Sequence, residues 1–322
     1  MSVKILFRCD AANIKEIGSG HLIRCITIAK LLIKNYKVKK KEILFLIKTE
    51  KKYSLGEKIL KRENLNYKKI NEKIRNYSLN EYEEIINNKF KIIIFDRLGN
   101  IRNNFIQKLK KIKKKIICFD DSSKNKFNTD LSCNPLVFNK YYNSKNHYAG
   151  NEYNIIPSKL YSIKTKEIKK IQNIFLSFGG YDYKNLKKKL IFLLKQNKNF
   201  KKVNFINTEK KKFEKKSNFF KKMAKCELVV CSGGLTMFDA IFLNKIIIVT
   251  SQFQHQIKNI LRLQKMGLVI FLKNINKKEL NNALIHLNNP EKLKNLNNKI
   301  KKYNRLNKMN IIMKKIYSLY AN

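Results

Sequence analysis

The sequence predicts an α/β protein built from two doubly wound domains, each with a parallel sheet. Three observations carry this. Short apolar runs of strand length alternate with segments of helical period along most of the chain. The alternation pauses once, from about Phe138 to Lys170, in a stretch rich in Asn, Tyr and Lys, and then restarts. Finally, 322 residues with 43% hydrophobic content are long for one core and suit two. A division into 1–165 and 166–322 follows.

The elements follow in order. Val3 to Arg8 is a strand, and Leu22, Ile26, Ala29, Leu32 and Ile33 mark one face of a helix after it. Glu42 to Lys48 is a strand, Leu55 to Arg62 a helix and Leu65 to Ile70 a short strand. Leu79 to Asn88 is helical, with acids in its early turns. Phe90 to Phe95 is a central buried strand with Asp96 at its carboxyl end. A helix over Ile101 to Ile112 leads to the strand Ile116 to Phe119, closed by Asp120 and Asp121, and Asp130 to Cys133 adds one more strand. In the second half, strands fall at Asn173 to Phe178, Lys202 to Ile206, Glu227 to Cys231, Ile246 to Thr250 and Leu268 to Leu272. Helices fall between them, and the rest is helical to about Ser318. Two such domains facing one another leave a cleft between the carboxyl edges of their sheets, the usual place for a ligand.

The stretch Ile17 to Arg24, IGSGHLIR, joins the first strand to the first helix. Strand, glycine turn and helix start bring backbone N–H groups and the positive helix end toward an anionic or oxygen-rich ligand. Gly18 and Gly20 allow the sharp turn and close approach. His21 then lies in the first helical turn, where the helix end disfavours imidazolium and leaves a neutral, base-competent ring. The alternative is a histidine capping an ordinary βα turn. Gly179–Gly180 and Gly233–Gly234 likewise follow strands and precede helices, which suits phosphate or nucleotide contact as well as simple turn chemistry. Ser232 and Thr236 are placed either to donate to phosphate or to cap the helix.

The formal net charge is +48, from lysines spread over the whole chain. Lysine, asparagine and isoleucine all have A/T-rich codons, so a biased genome could produce this balance without any selected partner. The few arginines are dispersed and no helix-turn-helix, RNA-recognition signature or zinc finger is present, which argues against specific nucleic acid binding. A basic face also suits an anionic membrane surface or phosphorylated substrates. The six cysteines show no C-x-x-C pair, and buried reduced thiols are expected. No run reaches membrane-spanning length and the chain opens on a strand, so a cytoplasmic protein is expected.

Four stretches, FRCD…IGSGHLIRC, FDD at Phe119 to Asp121, FGGYDYKN at Phe178 to Asn185 and SGGLTMFDA at Ser232 to Ala240, resemble the UDP-sugar hydrolase of pseudaminic acid biosynthesis and its spore-coat polysaccharide biosynthesis relatives. The resemblance covers most of the chain. It implies the GT-B fold of the MurG-type glycosyltransferases, two Rossmann-like domains across a cleft. It also implies attack of water at the anomeric carbon of a UDP-linked amino-deoxy sugar, releasing sugar and UDP without a metal or other cofactor. By resemblance His21 is the catalytic base, Asp239 grips the ribose, and Gln254 and Gln256 reach the sugar. Amides at Gly18 to Gly20 and Gly233 to Leu235 are candidate donors to the diphosphate.

The chain departs from the hydrolase pattern where Asp96–Arg97–Leu98–Gly99 replaces a D-x-Y-G stretch, where Pro157 stands for an arginine, and where Asp239 stands for a glutamate. These departures resemble the polysaccharide-biosynthesis relatives and keep sugar transfer open beside hydrolysis. Asp10 and Arg24 flank His21, as substrate contacts or as ordinary surface charges. Asp96 is placed either to orient His21 or bind sugar hydroxyls, or to cap the next helix. The same alternatives apply to Asp120 and Asp121, with capping ahead.

Overall fold

The computed structural model describes residues 3–12, 17–97, 99–136, 145–178, 182, 184–196, 204–207 and 216–322. The chain divides into two compact units, Met1–Ile155 with Lys308–Asn322, and Ile156–Asn307.

In the first unit, seven parallel strands lie in the order β3-β2-β1-β4-β5-β6-β7. They are β1 (Ile5–Cys9), β2 (Ile43–Lys48), β3 (Tyr67–Ile70), β4 (Ile92–Asp96), β5 (Lys115–Phe119), β6 (Leu131–Asn134) and β7 (His147–Ala149). The runs ILFRC in β1 and IIIFD in β4 are buried at every position, as both-face burial in a parallel sheet requires. The chain winds outward from β1 to β3, returns, and winds the other way from β4. The topological switch therefore lies between β1 and β4, which pair from Ile5↔Ile92 to Cys9↔Asp96. Helices α1 (Gly20–Tyr36), α2 (Ser54–Arg62), α3 (Leu79–Ile86) and α4 (Asn103–Lys111) connect the strands. α1 ends where Lys37 takes a φ of 58° and donates its N–H to Leu32 O, a left-handed C-cap.

The second unit holds a five-stranded parallel sheet in the order β12-β11-β10-β8-β9. Its strands are β8 (Asn173–Ser177), β9 (Asn204–Asn207), β10 (Leu228–Ser232), β11 (Ile246–Thr250) and β12 (Ile270–Leu272). The switch here falls between β8 and β10. Its helices are α5 (Ser158–Tyr161), α6 (Leu186–Gln196), α7 (Lys216–Ala224), α8 (Leu235–Phe242), α9 (Gln254–Lys265), α10 (Lys277–Asn288) and α11 (Pro290–Asn304). Asn276 caps α10 by accepting from Glu279 N at 2.8 Å, and Asn289 caps α11 from Lys292 N at 3.0 Å, with Pro290 opening that helix.

Three features differ from the sequence expectation. The domain passage expected at about 138–170 contains β7, which extends the first sheet, and the second unit begins at Ile156, not at 166. The run of C-terminal helices is divided: α12 (Met309–Ala321) belongs to the first unit. It buries Met309, Ile312, Met313 and Ile316, its Tyr317 ring lies 4.8 Å from that of Tyr36 on α1, and the Tyr320 hydroxyl donates to Glu42 at 2.7 Å. All six cysteines are free and buried, as expected for reduced thiols. Among the described residues no helix is long and apolar enough to cross a membrane.

Candidate functional site

The site grows from the switch point of the first sheet. β1 ends at Cys9, the loop returns through Gly18 and Ser19, and α1 begins at Gly20. Gly18 has a φ of +57°, the left-handed region that glycine enters freely, and its carbonyl accepts from Ala12 N at 2.8 Å. The start of α1 has no side-chain cap and no acid in its first turn. α3, α10 and α11, by contrast, are capped by Ser78, Asn276 and Asn289. Among the described residues no side chain caps the leading amides of α1, which suits water or a ligand there.

His21 projects from that first turn onto Asp96, the last residue of β4. Its Nδ1 lies 2.7 Å from Asp96 Oδ1, and its side chain is 18% exposed. Arg24, one helical turn on, closes a fork on the same carboxylate, Nε to Oδ2 and Nη2 to Oδ1, both at 2.6 Å. Arg24 Nη2 also reaches Asp120 Oδ2 at 2.6 Å. Cys25 Sγ approaches Asp96 Oδ2 at 3.7 Å. Burial alone would raise the Asp96 pKa, but the Arg24 charge and the hydrogen bonds from Arg24 and His21 outweigh it and hold the carboxyl below its usual range. An ionised carboxylate only accepts, so His21 Nδ1 carries a proton toward Asp96 and Nε2 is the ring nitrogen left to face a ligand. His21, Asp96 and Asp120 also offer ligand atoms within 4.8 Å of one another. That donor set suits a hard divalent cation, but the Arg24 guanidinium already bridges both carboxyls.

β4 turns alternate side chains to opposite faces, so Arg97, next after Asp96, leaves this site. It meets Arg8, Asp10 and Glu81 in a buried ionic cluster. Arg97 grips both oxygens of Glu81, its guanidinium carbon is 4.1 Å from the Tyr77 ring centroid, and Arg8 reaches Glu81 and Asp10 at 2.9 and 2.8 Å. Asp10, predicted to touch substrate, is occupied by Arg8 and by Lys48 N at 2.9 Å. Its position after a buried strand, without its partners, did not reveal this.

The predicted residues of the second unit divide in the same way. Ser232 closes β10 and is buried, Gly234 caps α8 by backbone alone, and Leu235 and Thr236 form the first turn, half-exposed and without an acid. Gly233 is required by packing: a Cβ there would lie 2.6 Å from Ile260 Cδ1 and 3.1 Å from Gln256 Cβ. Asp239 is half-buried on α8. Gln254 is exposed at the start of α9, whereas Gln256 is buried and its Oε1 accepts from Gln252 N at 3.0 Å, closing the turn into the helix. Gly179 and Gly180 lie outside the described residues. Just beyond them, Asp182 accepts from Leu186 N and Lys187 N at 3.0 and 3.1 Å, so a carboxylate of the chain already fills the α6 start.

No family model matches the sequence. A curated relative, "Uncharacterized protein MJ1062" of Methanocaldococcus jannaschii, is 28% identical over 302 residues, covering 83% of this chain and 58% of the relative, so the chain spans little more than half of that protein's length. Among solved structures, the spinosyn forosaminyltransferase SpnP superposes with a TM-score of 0.66 at 10% identity over 100% of both chains. The UDP-GlcNAc 2-epimerase of Neisseria meningitidis, bound to UDP-GlcNAc, gives 0.60 at 13% identity over 99% of this chain and 100% of that one. The calicheamicin glycosyltransferase CalG4 gives 0.60 at 7% identity over 100% and 99%. With two parallel, doubly wound units of matching extent, the chain has the α/β fold of the GT-B glycosyltransferases.

Proposed function

We propose that the chain acts on a nucleotide-activated sugar, transferring it to a hydroxyl acceptor with His21 as general base. The observation that carries this reading is the His21–Asp96 pair, 2.7 Å apart, at the switch point of the first sheet. The acceptor O–H gives its proton to Nε2 as its oxygen bonds to the anomeric carbon. The C1–O bond to the diphosphate breaks, and its electron pair leaves with the nucleoside diphosphate. The acid-free start of α1, beside His21, supplies N–H donors of the kind that stabilise a departing diphosphate. Solved structures of the same fold that are named for glycosyl transfer support transfer as the leading reading.

Hydrolysis is the second reading, with water as the acceptor. The GSGH and paired-glycine motifs resemble those of a UDP-sugar hydrolase, and the same base serves either oxygen. A panel of UDP- and dTDP-linked sugars, with and without sugar or lipid-linked acceptors, separates the two. Release of nucleoside diphosphate only with an acceptor supports transfer, and rapid release with water alone supports hydrolysis. In either case His21→Ala should lower turnover by about two to four orders of magnitude. An unchanged rate in that variant, or no turnover anywhere in the panel, overturns the assignment.

A further inference from the structure

The two acids that close β5 have separate roles. Asp121 is consumed by the backbone: Oδ2 accepts from Ile101 N at 2.6 Å, and Oδ1 accepts from Ser123 N and Oγ at 2.8 and 2.5 Å. Asp120 is arranged differently. It holds a φ of 52°, a left-handed conformation that aspartate enters more readily than most non-glycine residues and that turns its side chain away from the direction Asp121 takes. Its N–H is fixed on Cys133 O at 3.0 Å. The Oδ2 oxygen accepts from Arg24, while Oδ1 is buried with no hydrogen-bond partner among the described residues. Asp96, beside it, has donors on both oxygens.

A buried carboxyl oxygen without a donor is costly, and a ligand that brings the donor recovers that cost. We propose that Asp120 Oδ1 accepts a hydrogen bond from a hydroxyl or amide N–H of the sugar, which makes Asp120 a specificity-determining residue. The proposal rests on the reading of the His21 site as the place of sugar chemistry. Charge agrees with it. Two carboxyls, Asp96 and Asp120, share the single guanidinium of Arg24, an acid-rich setting suited to the positive charge that builds on a sugar ring as its C1–O bond breaks.

The test is calorimetric titration of the full chain, wild type and Asp120→Asn, with UDP, UDP-glucose, UDP-GlcNAc and UDP-GalNAc. Asparagine keeps the size of the side chain and tolerates the left-handed backbone. The expected result is unchanged UDP affinity in the variant, with a loss of about 10- to 100-fold on the UDP-sugars that wild type holds more tightly than UDP. If Asp120→Asn melts early, Asp120→Gly, which accepts the same φ, is expected to show the same selective loss. Retention of the sugar preference overturns the proposal, as does a parallel weakening of UDP and UDP-sugars, or a wild type with no preference for any UDP-sugar. Loss of wild-type sugar binding in EDTA, restored by Mn2+, overturns it in favour of a cation on His21, Asp96 and Asp120. Failure of wild type to bind UDP at all defeats the nucleotide-sugar reading itself, and is distinct from these results.

Discussion

His21 Nδ1 and Asp96 Oδ1 stand 2.7 Å apart across 75 residues of sequence, and that contact decides which nitrogen of the ring holds the proton. Asp96 performs this service only while it is ionised, which Arg24 ensures. Asp96→Asn is expected to lower turnover by about two to four orders of magnitude, because an amide permits the opposite tautomer. It should also lower the Tm, since buried Arg24 loses its forked partner. Steady-state kinetics with thermal melts check both, and wild-type turnover in the variant would remove Asp96 from the mechanism.

Acid sensitivity should trace to the cluster on the opposite face of the same sheet. Burial pushes Glu81 up, but the charges of Arg97 and Arg8 and the hydrogen bonds from Arg97 and Tyr77 N outweigh it and bring its pKa down to about 2. A folded-state value below the unfolded one gives stability that is present above about pH 4.5 and lost as pH falls toward 2. The contribution is on the order of 3 kcal/mol. Glu81→Gln should therefore be destabilised near neutrality, with a flatter dependence of unfolding free energy on pH between about 5 and 2. Denaturant melts across that range measure it, and parallel pH profiles for the two proteins would contradict it.

Gly233→Ala should destabilise the second unit by about 1–3 kcal/mol through overpacking against Ile260, which is fully buried. Ile260→Ala in the same chain should make the added methyl much less costly. A double-mutant cycle with no coupling between the two positions would show that the contact does not set the cost.

Gly18 and Gly20 separate conformation from ligand approach. Gly18→Ala forces a side chain into a φ of +57° and should cost about 1 kcal/mol. Gly20→Ala meets nothing within 4 Å, so stability should stay within about 0.5 kcal/mol of wild type. If ligand oxygens approach the start of α1, Gly20→Ala should nevertheless raise KM for the nucleotide sugar about tenfold. An unchanged KM would place the ligand away from that helix end.

Much of the architecture is visible in the sequence because parallel strands buried on both faces leave unbroken apolar runs such as Ile92 to Phe95, and helices between them keep their period. The glycine turn, His21 and the acid ending β4 are legible for the same reason: each is fixed by its place at the end of an element. What is not legible depends on pairing over distance or on a single dihedral angle. Arg8 and Glu81 are 73 residues apart, and nothing local says that Asp10 is taken by Arg8. Asp120 and Asp121 are adjacent and chemically identical, and only the left-handed turn at Asp120 divides their roles. Gln256 lies two residues from the exposed Gln254, yet it is buried and closes a turn. The three-residue edge strand β7 is too short to show a pattern within a polar stretch.

α12 has a consequence for how the molecule comes into being. On a ribosome the sheet beside His21 is made before the second unit, yet α12, which packs on α1, is made after it. Until then the flank of α1 around Tyr36 lacks its Tyr317 neighbour. The first unit is therefore clad on this side only once α12 has followed the second unit out.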